Sequence, residues 1–119
     1  MANKSKYIQI YTTVAKESDA EKIAGILLNK KLSACTQIVG PITSEYQWKG
    51  KTKKTKEWLC ITKTEQGHYS EVEKTIKNAH PYELPEIIAM PISKGSRRQD
   101  EVQRDRAHSH LRHLRQGHR

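Results

Sequence analysis

Two long strand-like stretches meet at Lys49-Gly50, and their length limits what the chain can become. Leu32 to Val39 reads as a strand, Gly40-Pro41 interrupts it as a bulge or bend, and strand character resumes from Ile42 to Trp48. On the return, the lysine-rich run Lys51 to Lys56 leads into Trp58 to Thr64. Lysines there would blunt an exposed sheet edge. A two-residue turn at Lys49-Gly50 makes opposed residue numbers total 99, so Cys35 faces Thr64 and Cys60 lies four positions away. That offset is about 13 Å along the strand, beyond the roughly 7 Å between Cα atoms that a disulfide tolerates. The two cysteines therefore read as small buried hydrophobes in a reducing compartment.

The remaining elements fall on either side of this hairpin. Tyr7 to Val14 is β-branched and aromatic and fits a first strand. Ser18-Asp19-Ala20-Glu21 has the form of a capping box, and Ala20, Ile23, Ala24, Leu27 and Lys31 then recur at helical spacing. That helix is expected to end around Lys30 or Lys31. A second capping box, Ser70 to Glu73, opens a narrower stripe of Tyr69, Val72, Ile76 and Ala79. Pro81 pushes the residue before it out of the helical region, so this helix stops near Ala79 or His80. Glu86 to Ile92 is the fourth strand, with Pro91 near its end or on an edge.

The order β-α-β-β-α-β is the split βαβ pattern of a ferredoxin-like α+β sandwich, with two helices on one face of an antiparallel sheet. The second and third strands are far longer than the first and fourth. Their ends must project as a ribbon, and an isolated ribbon is marginal in water. Tyr46, Trp48 and Trp58 lie on it and need cover, which another copy of the chain would provide.

Asn78 to Glu86 holds two of the four prolines, His80, Tyr82, Glu83 and Glu86 on a turn stiffened by fixed φ angles. Such a turn at the head of a strand suits a binding site. Its bland alternative is a helix-to-strand connector whose polar residues face water.

The chain is long enough for one domain, and no run approaches the roughly 18 apolar residues of a membrane span. The first six residues lead straight into a strand without a signal-peptide core, so the protein reads as cytoplasmic. Its charge of +9 is unevenly made. Residues 1–96 contain fifteen Lys and no Arg; residues 97–119 contain seven Arg, no Lys and four of the six histidines. The chain thus divides into a domain, 1–96, and an atypical Arg/His-rich tail, 97–119. One-base slippage turns lysine codons into arginine codons, so a shifted frame or fused sequence accounts for the tail. A natural extension is the alternative, with Ala107, Leu111 and Leu114 at helical spacing.

Taken in order, Lys31-Leu32-Ser33-Ala34-Cys35, Gly40-Pro41-Ile42-Thr43-Ser44, Trp48-Lys49-Gly50-Lys51, Lys63-Thr64, His80-Pro81-Tyr82, Pro85-Glu86-Ile87-Ile88 and Pro91-Ile92 carry a family resemblance. Over residues 7 to 96 the chain resembles the CutA family of divalent-cation tolerance proteins. That resemblance implies a ferredoxin-like fold and a homotrimer whose ribbons pair between subunits. It also implies a cytoplasmic, non-enzymatic role in tolerance to copper and other divalent cations. Animal relatives are associated with membrane anchoring of acetylcholinesterase, and the trimer is similar to PII signalling proteins, which makes a small-ligand sensor the alternative function. Some bacterial members bind copper through a first-strand cysteine and two adjacent histidines. Here Tyr11 and Ala79 replace two of those three, and only His80 matches. The tail replaces the family's closing aromatic helix.

His80 is thus the best metal candidate, with Glu83, Glu86 and residues of another subunit as the further donors and copper or another divalent cation as the expected ion. With Lys63, Tyr82, Glu86 and Trp48 it makes up an expected ligand cleft between subunits, Lys63 being placed there by the resemblance. An acid–base enzyme built on His80, Tyr82, Glu86 and Lys63 lacks a nucleophile beside a base. A nucleic-acid module lacks its stacking aromatics, since the third strand carries no Gly-Phe motif and the chain contains no Phe.

Overall fold

The computed structural model describes residues 6–96, and the expectations for the tail, 97–119, lie outside the described residues. The order is β1 (Tyr7–Val14), α1 (Glu17–Asn29), β2 (Cys35–Trp48), β3 (Lys51–Glu65), a 3-10 turn (Gln66–His68), α2 (Tyr69–Ala79) and β4 (Ile88–Pro91). The strands form one antiparallel sheet in the order β2-β3-β1-β4.

Alternation along β1 decides which face meets the helices. Ile8, Ile10, Thr12 and Val14 are buried, while the residues between them are half-buried. The first set packs with Ala20, Ile23 and Leu27 of α1, Cys60 of β3, and Val72 and Ile76 of α2. These apolar stripes recur at the spacing that puts side chains on one helix face.

Neither helix uses its expected capping box. Lys16 and His68 stand at the N-cap positions, and no side-chain cap bond forms at either. Helix α1 starts before Ser18, which places that hydroxyl inside the first turn. Helix α2 grows out of the 3-10 turn, so Ser70 is likewise already helical. The end of α1 is more specific. Lys31 adopts φ 60°, its N–H donates to Leu28 O at 3.0 Å, and the Leu32 N–H donates to Leu27 O at 3.0 Å. This is a Schellman motif with lysine at the left-handed position that usually takes glycine. Helix α2 ends at Ala79, and His80 is extended at φ −79°, ψ 135°, as Pro81 requires.

The hairpin turn has both central residues in the left-handed region, Lys49 at φ 52° and Gly50 at φ 76°, as a tight two-residue connection demands. Beyond it the register follows the expected total of 99 from Trp48↔Lys51 to Ile42↔Glu57. The ladder then shifts by one residue between Val39 and Ile42, so Cys35 faces Lys63 and not Thr64. Both cysteines are free.

Gly40, in that bulge, sits against the Trp58 ring: a Cβ there would lie 2.5 Å from its Cε3. This corrects one expectation. Trp58 pairs with Val14 and packs on the core, whereas Tyr46 and Trp48 stand on the ribbon at 46% and 56% exposure. The fourth strand is also shorter than expected, beginning at Ile88.

The helix-free face of the sheet is not polar. Register and alternation place Val39, Leu59, Ile61, Tyr11, Ile88 and Met90 on it. Val39, Ile88 and Met90 are 45%, 47% and 42% exposed.

Candidate functional site

The turn after α2 is stitched to the sheet by three hydrogen bonds in series. His80 is buried at the helix end, and its Nε2–H donates to the carbonyl of Thr13, on β1, at 2.8 Å. Its Nδ1 accepts the backbone N–H of Tyr82 at 3.1 Å. The Tyr82 hydroxyl then donates to Glu57 Oε2, on β3, at 2.7 Å. The two rings lie 4.8 Å apart at a tilt of 51°. A carbonyl on one side and an N–H on the other fix the neutral tautomer with its proton on Nε2.

The pKa shifts follow from this clasp. Burial lowers that of His80, and the Thr13 carbonyl and the carboxylates of Asp19 and Glu57 only partly oppose it. Burial first, then the hydrogen bond to Glu57 and its charge, raise the Tyr82 phenol well above its ordinary value near 10. Tyr82 thus keeps its proton and stays a donor well into the alkaline range.

Above the clasp, the turn and the ribbon enclose a groove of about 1090 Å³. Glu57, with Tyr82, Glu83 and Glu86 of the turn, lines one side; Tyr46, Trp48 and Lys53 line the ribbon side. Leu84, 90% exposed, stands at its rim.

Of the five residues expected in the cleft, Tyr82, Glu86 and Trp48 line this groove. His80 lies behind it as a buttress. Lys63 lies outside it: six residues from Glu57 along β3 is about 20 Å. The expected role of His80 as a metal ligand meets a physical objection, because Nε2 carries the proton it donates to Thr13 and the one lone pair, on Nδ1, already accepts the Tyr82 N–H. Among the described residues no group of three His, Cys, Asp or Glu converges closely enough to hold an ion. Tyr11 and Ala79 add no strong donor.

Glu57 escaped sequence reasoning. A signal was present: it is the one acidic residue between Tyr46 and Thr64, in a strand that begins with a run of lysines. A lone carboxylate in such a strand marks a position with a partner elsewhere.

A family model described as CutA1 divalent ion tolerance protein matches residues 8–101. The divalent-cation tolerance protein CutA of Thermus thermophilus is 38% identical over 88 residues, which cover 74% of this chain and 85% of that protein. The chloroplastic protein CutA of Arabidopsis thaliana is 38% identical over 89 residues, 75% of this chain but 49% of that protein. The chain thus spans about half the length of the plant and animal relatives it matches. The structure of the periplasmic divalent cation tolerance protein CutA from Archaeoglobus fulgidus superposes with a TM-score of 0.79 at 36% identity, covering 85% of this chain and 98% of that one. Relatives carry both chloroplastic and periplasmic names, so the family does not fix a compartment. Among the described residues no helix is long and apolar enough to cross a membrane.

Proposed function

The chain belongs to the CutA1 divalent ion tolerance family, and from that premise we propose that it works as a non-enzymatic homotrimer in tolerance to divalent cations such as copper. The observation that carries the assembly is the helix-free sheet face. Val39, Ile88 and Met90 are over two-fifths exposed there, and the ribbon holds Tyr46 and Trp48 out beside it. Aliphatic exposure of this extent on one face marks an interface. The strand order supports a ferredoxin-like sandwich, and the ribbon reaching past it suits pairing with a neighbour. The free cysteines suit a reducing, cytoplasmic compartment.

Tolerance in this reading does not depend on a copper centre at His80. An ion at Nδ1 would displace the Tyr82 N–H, and the carboxylates whose charge reaches the ring, Asp19 and Glu57, make no three-donor group with it among the described residues. The groove between turn and ribbon is the ligand cleft of the assembly. A small-ligand sensor of the PII type is the second reading, favoured by the size of that groove.

Light scattering tests the assembly, with an expected mass of three times the 13.7 kDa chain. Ile88→Lys should give monomer and abolish copper tolerance in a complementation assay. A monomeric wild type at micromolar concentration would refute the trimer. Truncation after Ser96 should leave trimers of lower stability; loss of assembly would make the tail structural.

A further inference from the structure

Glu57 is only 9% exposed, and Tyr82 holds one of its oxygens. Among the described residues no Lys, Arg or His forms an ion pair with it. Its other oxygen has no hydrogen-bond partner there, and the residue lines the groove. That oxygen is not closed off from solvent, so a cationic donor entering the groove can reach it.

The groove around it is built for a cation larger than a metal ion. Glu83 and Glu86 line the same end, yet no three donors converge as a chelate. Aromatic rings supply the rest: Tyr82 beside Glu57, and Tyr46 and Trp48 along the ribbon. Such rings attract ammonium and guanidinium groups, and Trp48 already draws Lys49 Nζ to 5.8 Å from its centre. Lys53, four residues from Glu57 on the same strand and about 13 Å away, stands opposite Tyr46 and sets a positive charge between the levels of Glu57 and Trp48. The groove is acidic at the turn and aromatic along the ribbon, with this one lysine beside the aromatics.

We propose that this groove binds an organic monocation, an ammonium or guanidinium group on an apolar stem, with the charged group against Glu57 and the stem along Tyr46 and Trp48. The inference rests on the reading of the groove as a ligand cleft. A second positive charge on the ligand would meet Lys53, so monocations are preferred over polyamines.

The test titrates the full chain with hexylguanidinium by calorimetry and tryptophan fluorescence, beside neutral hexylurea, spermidine and cupric ion. Saturable binding of hexylguanidinium is expected, about tenfold tighter than hexylurea, as suits a charge-assisted hydrogen bond. Spermidine should bind more weakly than hexylguanidinium. Glu57→Gln should weaken hexylguanidinium about tenfold, and Trp48→Ala should also weaken it. Because Glu57 is buried, the exposed pair Glu83→Gln/Glu86→Gln gives an independent check and should weaken binding about threefold. Equal binding of hexylurea, tighter binding of spermidine, or hexylguanidinium affinity unchanged in both glutamate variants would overturn the proposal. If hexylguanidinium fails while cupric ion gives a Trp48-dependent signal, the ligand class falls and the cleft reading stands. If every probe fails, both fall.

Discussion

Replacing Gly40 by alanine should destabilise the protein through one defined contact. The new Cβ would lie 2.5 Å from Cε3 and 2.8 Å from Cδ2 of Trp58, and 3.2 Å from the Glu57 carbonyl oxygen. Ordinary carbon contacts begin at about 3.5 Å, so the indole must retreat by roughly 1 Å. It has little room, because Trp58 packs on the core and pairs with Val14, which is wholly buried. Gly40 is not in the left-handed region, so the cost is steric and not conformational. Overpacking of this kind costs about 1–3 kcal/mol. Urea denaturation at fixed protein concentration measures it, the concentration being held because association adds to apparent stability. The same substitution made with Trp58→Leu should cost under about 0.5 kcal/mol, giving a coupling of about 0.5–3 kcal/mol in the double-mutant cycle. A loss within about 0.5 kcal/mol in the parent chain would refute the argument. So would an equal loss in both backgrounds. Because Glu57 neighbours Trp58, the displaced indole should also weaken the Tyr82–Glu57 bond.

Tyr82→Phe should cost about 1 kcal/mol, less than a fully buried charged hydrogen bond because Tyr82 is over a third exposed, and should remove the latest step from a spectrophotometric tyrosine titration. The fold favours neutral His80, so its contribution is complete above the ordinary value of 6.5 and is lost as pH falls through the lower folded value. Urea midpoints should therefore drop on acidification, with a shallower slope in His80→Asn. Lys31→Gly should raise stability by about 0.5–1 kcal/mol, since lysine pays for a left-handed conformation that glycine adopts freely. Burial pushes the Cys60 thiol up to about 11, so at pH 8 a thiol reagent should leave it unmodified until the chain unfolds; rapid modification in the native state would contradict its placement in the core.

Local periodicity carried most of the fold. Alternation in Tyr7 to Val14, helical spacing from Ala20 to Leu27, the Lys49-Gly50 turn and the stop before Pro81 each depend on residues close in sequence, and each stands where those residues put it. Capping motifs misled, because a Ser-x-x-Glu pattern reports a preference that helix starts set by packing can override. The Cys35 register slipped by one because a bulge is visible in Gly40-Pro41 while its residue count is not. In the site, the rigid turn announced Tyr82 and Glu86, but the role of His80 was decided by the Thr13 carbonyl, 67 residues away. Glu57 gained its meaning the same way, from a tyrosine 25 residues on. The elements, their order and the excess length of the ribbon were legible from residues near one another in the chain, because φ preference and side-chain alternation act over a few residues. Which histidine nitrogen keeps its proton and which carboxylate the Tyr82 hydroxyl reaches became visible with the folded chain, because those depend on groups that meet only after folding.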